Sequence, residues 1–194
     1  TGNIAFDFGG GLYTDNGSPV ITNCRFVGNI AGDAAGGGYG WGAGLYNYHS
    51  ASKITNCSFS NNTATGLGAG ILNLGNGAVV SNCSFTRNTV LGTGNPNSTP
   101  PGNGGGIWTT AIFTIRNVIL WGNSAPLAGS QFYGTQTTLT ATYCDIQGGI
   151  NGSNNVSPIG GTINNNIDSD PFFRDAVGGD LSLLPTSPCI DAGD

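Results

Sequence analysis

The sequence predicts an all-β fold, a solenoid of stacked coils built from short strands. Three observations predict it. A six-residue string recurs as Ile21-Thr22-Asn23-Cys24-Arg25-Phe26, Ile54-Thr55-Asn56-Cys57-Ser58-Phe59 and Val80-Ser81-Asn82-Cys83-Ser84-Phe85, and more weakly as Ile115-Arg116-Asn117-Val118-Ile119-Leu120 and Ala141-Thr142-Tyr143-Cys144-Asp145-Ile146. The apolar bursts are short, rich in β-branched and aromatic residues and bounded by Gly and Asn, with no helix-length amphipathic window. The base period is 26 residues, whereas helix-pair repeats need roughly 33 or more.

Each repeat opens on a Gly-rich lead into an apolar pair: Gly11-Leu12-Tyr13, Gly44-Leu45-Tyr46, Gly70-Ile71-Leu72, Gly106-Ile107-Trp108 and then Gln131-Phe132-Tyr133. The Ile/Val-x-Asn-Cys string follows nine residues on, or eight in the fourth copy. The cysteine position advances by 33, 26, 35 and 26 residues, a base period with insertions at 32–42 and 92–105. Variable loops on one side of a fixed unit are what a solenoid tolerates.

Inside the string, Ile54, Cys57 and Phe59 read as inward residues, yet Ile54 to Cys57 is an odd step. Strand alternation has period two, so the phase must shift at the asparagine, which tolerates left-handed backbone best after Gly. Asn23, Asn56, Asn82 and Asn117 are therefore expected to stack as a buried amide ladder along the axis. A second row, Asn29, Asn62, Asn88 and Asn123, follows each Phe or Leu at one spacing and reads as the turn that ends a strand. Each of about five coils then holds three strands (Gly-Leu-Tyr, x-Ile-Thr and Cys-x-Phe) and rises about 4.8 Å. The coils span 1–146; the irregular segment 147–194 is expected to fold back over the last coil.

Four cysteines, Cys24, Cys57, Cys83 and Cys144, share one repeat position, with Cys189 near the end. None has metal-ligand spacing and His49 is the single histidine, which argues against zinc. The row reads as buried thiols acting as small hydrophobes, or as stacked neighbours oxidised to disulfides in an oxidising compartment.

Net charge is −5, all ten acidic residues are Asp, and the five basic residues are scattered. Nucleic-acid binding needs a basic patch, so no nucleic-acid partner is expected. No run of about 18 apolar residues exists, so no transmembrane segment is expected. The chain lacks Met and a visible signal peptide, and reads as a processed product or a piece of a longer chain.

GGGLY followed by ITNCxFxxNxA resembles the right-handed parallel β-helix repeat proteins of the pectin-lyase-like superfamily, and the GGA(I/L) and FxxN repeats of polymorphic outer-membrane proteins. The closing YCDIQGG…NIDSDPFF…GGDLSLLPTSPCIDAGD resembles the end of secreted bacterial β-helix proteins that continue into a surface-anchoring segment. The resemblance covers essentially the whole chain and implies a single-stranded right-handed parallel β-helix. It leaves activity open, because such helices serve lyases, hydrolases, adhesins and passive surface proteins alike.

Lyases and glycosidases on that fold need several charges on one sheet in adjacent coils. The outward position between Cys and Phe holds Arg25, Ser58, Ser84, Ile119 and Asp145, which is inert in the middle, and Asp7, Asp15 and Asp33 fall in turns and loops. No catalytic residue is expected. His49 and Lys53 lie near Tyr46 and Tyr48, and Tyr39, Trp41, Tyr46 and Tyr48 are candidates for stacking on sugars. Asp168, Asp170, Asp175 and Asp180 are a candidate oxygen-ligand site for Ca²⁺; the competing reading is caps and Asx-turns. Of seven Asn-x-Ser/Thr sequons (Asn16, Asn56, Asn61, Asn82, Asn97, Asn151, Asn155), Asn56 and Asn82 are expected to be buried and so unmodified. The phase of Thr1-Gly2-Asn3-Ile4-Ala5 against Val27-Gly28-Asn29-Ile30-Ala31 leaves the first coil with an open edge. The expectation is a non-enzymatic extracellular structural protein, a surface or fibre subunit whose copies stack head to tail, with no cofactor; a carbohydrate-active or carbohydrate-binding β-helix, or an adhesin, is the alternative.

Overall fold

The computed structural model describes residues 1–33, 38–94, 102–135, 138–150 and 161–193. The chain is all-β: among these residues there is no helix, and the strands lie in three parallel sheets and one antiparallel pair. Residues 34–37 and 95–101 of the two insertions, and the sequons at Asn97, Asn151 and Asn155, fall outside the described residues.

The Gly-rich leads make the five-stranded sheet: Leu12–Asp15, Leu45–Tyr48, Ile71–Asn73, Ile107–Thr109 and Phe132–Gly134 pair in parallel, residue for residue by repeat. Close approach explains the glycines that precede these strands. A Cβ on Gly44 would stand 2.4 Å from the Gly70 carbonyl oxygen of the next repeat.

The recurring string makes the largest sheet, and here the structure departs from the expected strand count. Its two halves lie in one sheet. They are separate in Val20–Thr22 and Arg25–Val27, and again in Lys53–Thr55 and Ser58–Ser60, but merge into single strands at Ala78–Thr86 and Phe113–Trp121. Leu139–Thr142 and Asp145–Ile146 follow. The third sheet comes from the pair after the second asparagine, which the spacing had assigned to a turn: Ile4–Ala5, Ile30–Ala31, Thr63–Ala64 and Thr89–Val90 pair in parallel. Two residues suffice for a strand there because both neighbours in the stack are strands too.

The odd step is real. Asn23, Asn56, Asn82 and Asn117 have φ of 54°, 55°, 52° and 52°, and Tyr143 keeps the conformation at 56°. Ile54, Cys57 and Phe59 all point into the core, at 1%, 3% and 0% exposure. A second left-handed row, Gly2, Gly28, Asn61, Arg87 and Gly122, immediately precedes the second asparagine row.

The core is a set of like-on-like columns. Phe26, Phe59 and Phe85 stack with ring centroids 4.6 Å apart at each step, tilted by 5° and 2°. That spacing matches the roughly 4.8 Å between neighbouring strands. Each fully buried phenyl contributes about 1.5–3 kcal/mol. A separate alanine column, Ala31, Ala43, Ala64 and Ala69, fills the narrow corner behind the two-residue strands.

The parallel ladder continues past Ile146. Gly161–Asn164 pairs with Leu139–Thr142, and Ile167 bridges Asp145. Asn165, at φ 55°, takes the left-handed corner of this further repeat. The hairpin Phe173–Asp175 and Asp180–Leu183 is the antiparallel pair. The closing segment, placed over the last repeat by its position in sequence, has contacts reaching back to the first. Arg25 Nη2 donates to the Gly179 carbonyl at 2.7 Å, while the Cys189 thiol donates to Asp145 Oδ2 at 3.0 Å.

Candidate functional site

The polar side chains that recur with the repeat form columns, and the deepest column is the second asparagine row. The Nδ2 of Asn29 donates to Asn62 Oδ1 at 2.9 Å, that of Asn62 to Asn88 Oδ1 at 2.8 Å, and that of Asn88 to Asn123 Oδ1 at 2.9 Å. Each Oδ1 also accepts the backbone N–H of the preceding asparagine, at 3.0, 3.2 and 3.1 Å. The second Nδ2 hydrogen of Asn62, Asn88 and Asn123 goes to the carbonyl of Phe26, Phe59 and Phe85 at 2.9, 2.9 and 3.0 Å. Asn29, Asn62 and Asn88 are at most 1% exposed. A buried amide with all its capacity used is the arrangement burial demands. Asn3 extends the column at one end; Gln131 and Gln147 extend it at the other, with Asn123 donating to Gln131 Oε1 at 2.6 Å and Gln131 to Gln147 Oε1 at 3.1 Å.

The first asparagine row is the correction to this picture. Asn23, Asn56 and Asn82 are exposed and Asn117 is half-buried. Their recurrence is explained by backbone conformation: a left-handed corner on the surface selects Asn. One amide contact is seen in the row, Asn117 Nδ2 to Asn82 Oδ1 at 3.1 Å. The sequons at Asn56 and Asn82 are accordingly open to solvent instead of buried.

A third polar column went unread in the sequence. Thr14 donates to Asn47 Oδ1 at 2.6 Å, Asn47 to Asn73 Oδ1 at 2.6 Å, and Asn73 to Thr109 Oγ1 at 3.1 Å. Its signal was present, a polar residue directly after each Leu-Tyr-type pair.

The cysteine row is more than small hydrophobes. All five cysteines are free thiols. The Cys57 sulfur receives the Cys24 N–H at 3.5 Å, and the Cys83 sulfur receives the Cys57 N–H at 3.3 Å. The thiols donate two residues back, to Thr22, Thr55, Ser81 and Thr142 carbonyls at 3.1, 3.3, 3.1 and 3.3 Å. In the further repeat Asn166 Oδ1 takes the sulfur's place and accepts the Cys144 N–H at 2.8 Å. The hydrogen bond to Cys57, then burial, pushes the Cys83 thiol up; burial pushes Cys144 up to about 12.

Tyr39, Trp41, Tyr46 and Tyr48 do come together, joined by Phe8, Tyr13 and His49 on the outer face of the five-stranded sheet. Tyr46 is only 4% exposed. Tyr13 and Phe8 stack against it at 5.2 and 4.9 Å, and Tyr39 packs on Trp41 at 5.2 Å. Sugar stacking needs a free ring face, and in this cluster Tyr13, Tyr39 and His49 are the exposed members. Lys53, on the neighbouring sheet, is exposed and forms no part of these ring contacts.

Each of the four aspartates of the closing segment accepts a backbone N–H, three of them in local turns and Asp168 from twenty residues away. Asp168 accepts the Gly148 N–H at 3.0 Å, Asp170 that of Phe172 at 2.9 Å, Asp175 that of Gly178 at 2.8 Å, and Asp180 that of Ser182 at 3.0 Å. Hydrogen bonds from Ser182 hold Asp180 below the ordinary carboxylate value. Among the described residues no three His, Cys or Asp side chains converge on one point.

The outward row runs Arg25, Ser58, Ser84, Ile119, Asp145 as spaced, and the closing segment lies along it. Beneath that segment is a cavity of about 210 Å³ lined by Ile119, Ile167, Leu183, Cys189 and Asp145 among others. Asp145 is 3% exposed; burial pushes its carboxyl up, against the donors Cys189 and Ser169. Burial and then the bond to Asp145 push the Cys189 thiol up to about 12. No helix among the described residues is long and apolar enough to cross a membrane. Comparison with known proteins finds no matching family model, no matching curated protein and no matching solved structure.

Proposed function

We propose that the three parallel sheets are the three faces of a single-stranded right-handed parallel β-helix, related to the pectin-lyase-like superfamily, and that the protein is a non-enzymatic structural element of the cell exterior. The observation that carries this reading is the consumption of the recurring polar groups. The buried row Asn29, Asn62, Asn88 and Asn123 has its amides committed to one another and to phenylalanine carbonyls, and the exposed row at Asn23, Asn56, Asn82 and Asn117 is accounted for by its left-handed backbone. A catalytic or binding row would instead hold its polar atoms toward solvent on a sheet face. Such a stack carries length and stiffness. Strand edges at the ends of such a stack take like strands, and on this reading copies join head to tail into a surface layer or fibre. Electron microscopy and light scattering of the purified chain across a concentration series test this. Rods that lengthen with concentration are expected; a monomer at every concentration overturns the assembly.

A second reading, polysaccharide binding, is favoured by the grouping of Tyr13, Tyr39 and Trp41 on one outer face. It predicts retention on an insoluble polysaccharide that Tyr39→Ala and Tyr13→Ala abolish. Reducing-sugar release or unsaturated uronate formation from a polysaccharide panel would replace both readings with an enzyme.

A further inference from the structure

Cys24 and Cys57 stand opposite each other in adjacent repeats. The strands on either side of them, Val20–Thr22 with Lys53–Thr55 and Arg25–Val27 with Ser58–Ser60, pair in register. The Cys57 sulfur lies 3.5 Å from the Cys24 backbone nitrogen. Neighbouring strands run about 4.8 Å apart, within the Cα separation of roughly 4.4–6.8 Å that a disulfide spans. The two thiols differ in access: Cys24 is half-buried, whereas Cys57 and Cys83 are 3% and 2% exposed.

We infer that Cys24 and Cys57 form an oxidation site, at which a peroxide acts on Cys24 and Cys57 closes a disulfide between the first two repeats. In the first step the Cys24 thiolate attacks one peroxide oxygen. The O–O bond breaks, giving Cys24 sulfenic acid and hydroxide, which takes up the proton released by the Cys24 thiol and leaves as water, with sulfur oxidised and peroxide reduced. In the second step the Cys57 thiolate attacks the Cys24 sulfur, the S–O bond breaks and hydroxide leaves with the Cys57 proton as a second water. Cys83 favours this order: its side chain holds the Cys57 thiol below the ordinary value, while Cys57 pushes the Cys83 thiol up. The pair Cys57–Cys83 has the same register, but neither sulfur is reachable by the oxidant.

The tryptic map of the chain separates the possibilities. Cleavage at Arg25, Lys53 and Arg87 puts Cys24 in residues 1–25 and both Cys57 and Cys83 in residues 54–87. Hydrogen peroxide treatment of the folded chain, quenching with an alkylating agent and peptide mapping should yield residues 1–25 linked to residues 54–87, with fragmentation placing the link on Cys57 and Cys83 alkylated. Cys83→Ala should keep the link. Cys57→Ala should abolish it and leave Cys24 as a sulfenic acid trapped by dimedone. A closed loop within 54–87, residues 1–25 linked to themselves, or Cys24 carried to sulfinic acid without a link in the unsubstituted chain overturns the inference. If Cys57→Ala does not fold, the unsubstituted and Cys83→Ala maps still decide.

Discussion

Replacing Asn62 by Ala separates the two asparagine rows energetically. Asn62 is fully buried. Its loss strands the Asn29 N–H and the Asn29 Nδ2, which its Oδ1 accepts at 3.0 and 2.9 Å. The Phe26 carbonyl keeps its place in the ladder between Arg25–Val27 and Ser58–Ser60, and Asn88 Oδ1 keeps a partner, because the backbone N–H at position 62 still reaches it. Leaving a buried polar group without a partner costs about 1–3 kcal/mol, so two such groups cost about 2 kcal/mol at the low end. A domain of this size is stable by about 5–15 kcal/mol, so the loss is a large fraction. Asn56→Ala provides the contrast: its side chain is exposed, and the substitution loses only the left-handed preference, about 1 kcal/mol. The assay is urea unfolding followed by tryptophan fluorescence and far-ultraviolet circular dichroism, with midpoint and slope compared between the two variants. Asn62→Ala should lower the midpoint at least about twice as far. Equal shifts would refute the primacy of the buried column and return the weight to the corner.

Two further substitutions test other links. Arg87 sits at φ 55° in a row where Gly28 and Gly122 hold the same corner; Arg87→Gly should raise the unfolding midpoint by about 0.5–1 kcal/mol, the left-handed cost of about 1–2 kcal/mol less the entropy of a new glycine, and a fall in midpoint would contradict it. Asp145 has its carboxyl pushed up from 3.8 by burial under the closing segment. Burial therefore favours the protonated form, so its contribution to docking is complete below about 3.8 and is lost as pH rises through the raised value. Hydrogen-exchange protection of residues 173–193 should fall across that window in the unsubstituted chain and stay level in Asp145→Asn; identical profiles would show that Asp145 does not set the docking.

The spacing of Leu12, Ile21, Cys24 and Phe26 and their successors revealed the inward columns, because strand alternation is a short-range rule that any repeat makes visible. The left-handed corner at Asn56 was legible for the same reason, as the odd step from Ile54 to Cys57 has few other solutions. Depth was not legible. Asn56 and Asn62 are both asparagines at fixed positions, yet one is open and the other fully buried, because burial depends on which corner the rest of the chain covers. The Ile30–Ala31 pair looked like a turn since two residues make no strand alone; stacked on Thr63–Ala64 they do. Ile163-Asn164-Asn165-Asn166-Ile167 carried the string with Asn in place of Cys, a substitution intelligible only once the sulfur is seen to accept a backbone N–H.

The amide column also has a direction, and this constrains how stacks can join. Asn29, Asn62 and Asn88 each send both the N–H and the Nδ2 toward the Oδ1 of the next higher repeat, and Asn123 sends both to Gln131 Oε1. One end of such a column presents an acceptor and the other a donor. Two stacks meeting by equivalent ends would set acceptor against acceptor and also run their strands antiparallel, losing the register that aligns Phe26, Phe59 and Phe85. Head-to-tail contact keeps amide polarity, strand direction and ring stacking together. On the proposed reading, association through the ends is therefore heterologous, and a heterologous contact that does not close propagates as a filament. A two-fold dimer in solution would mean that the contact lies on a sheet face, and the columns would then have no part in assembly.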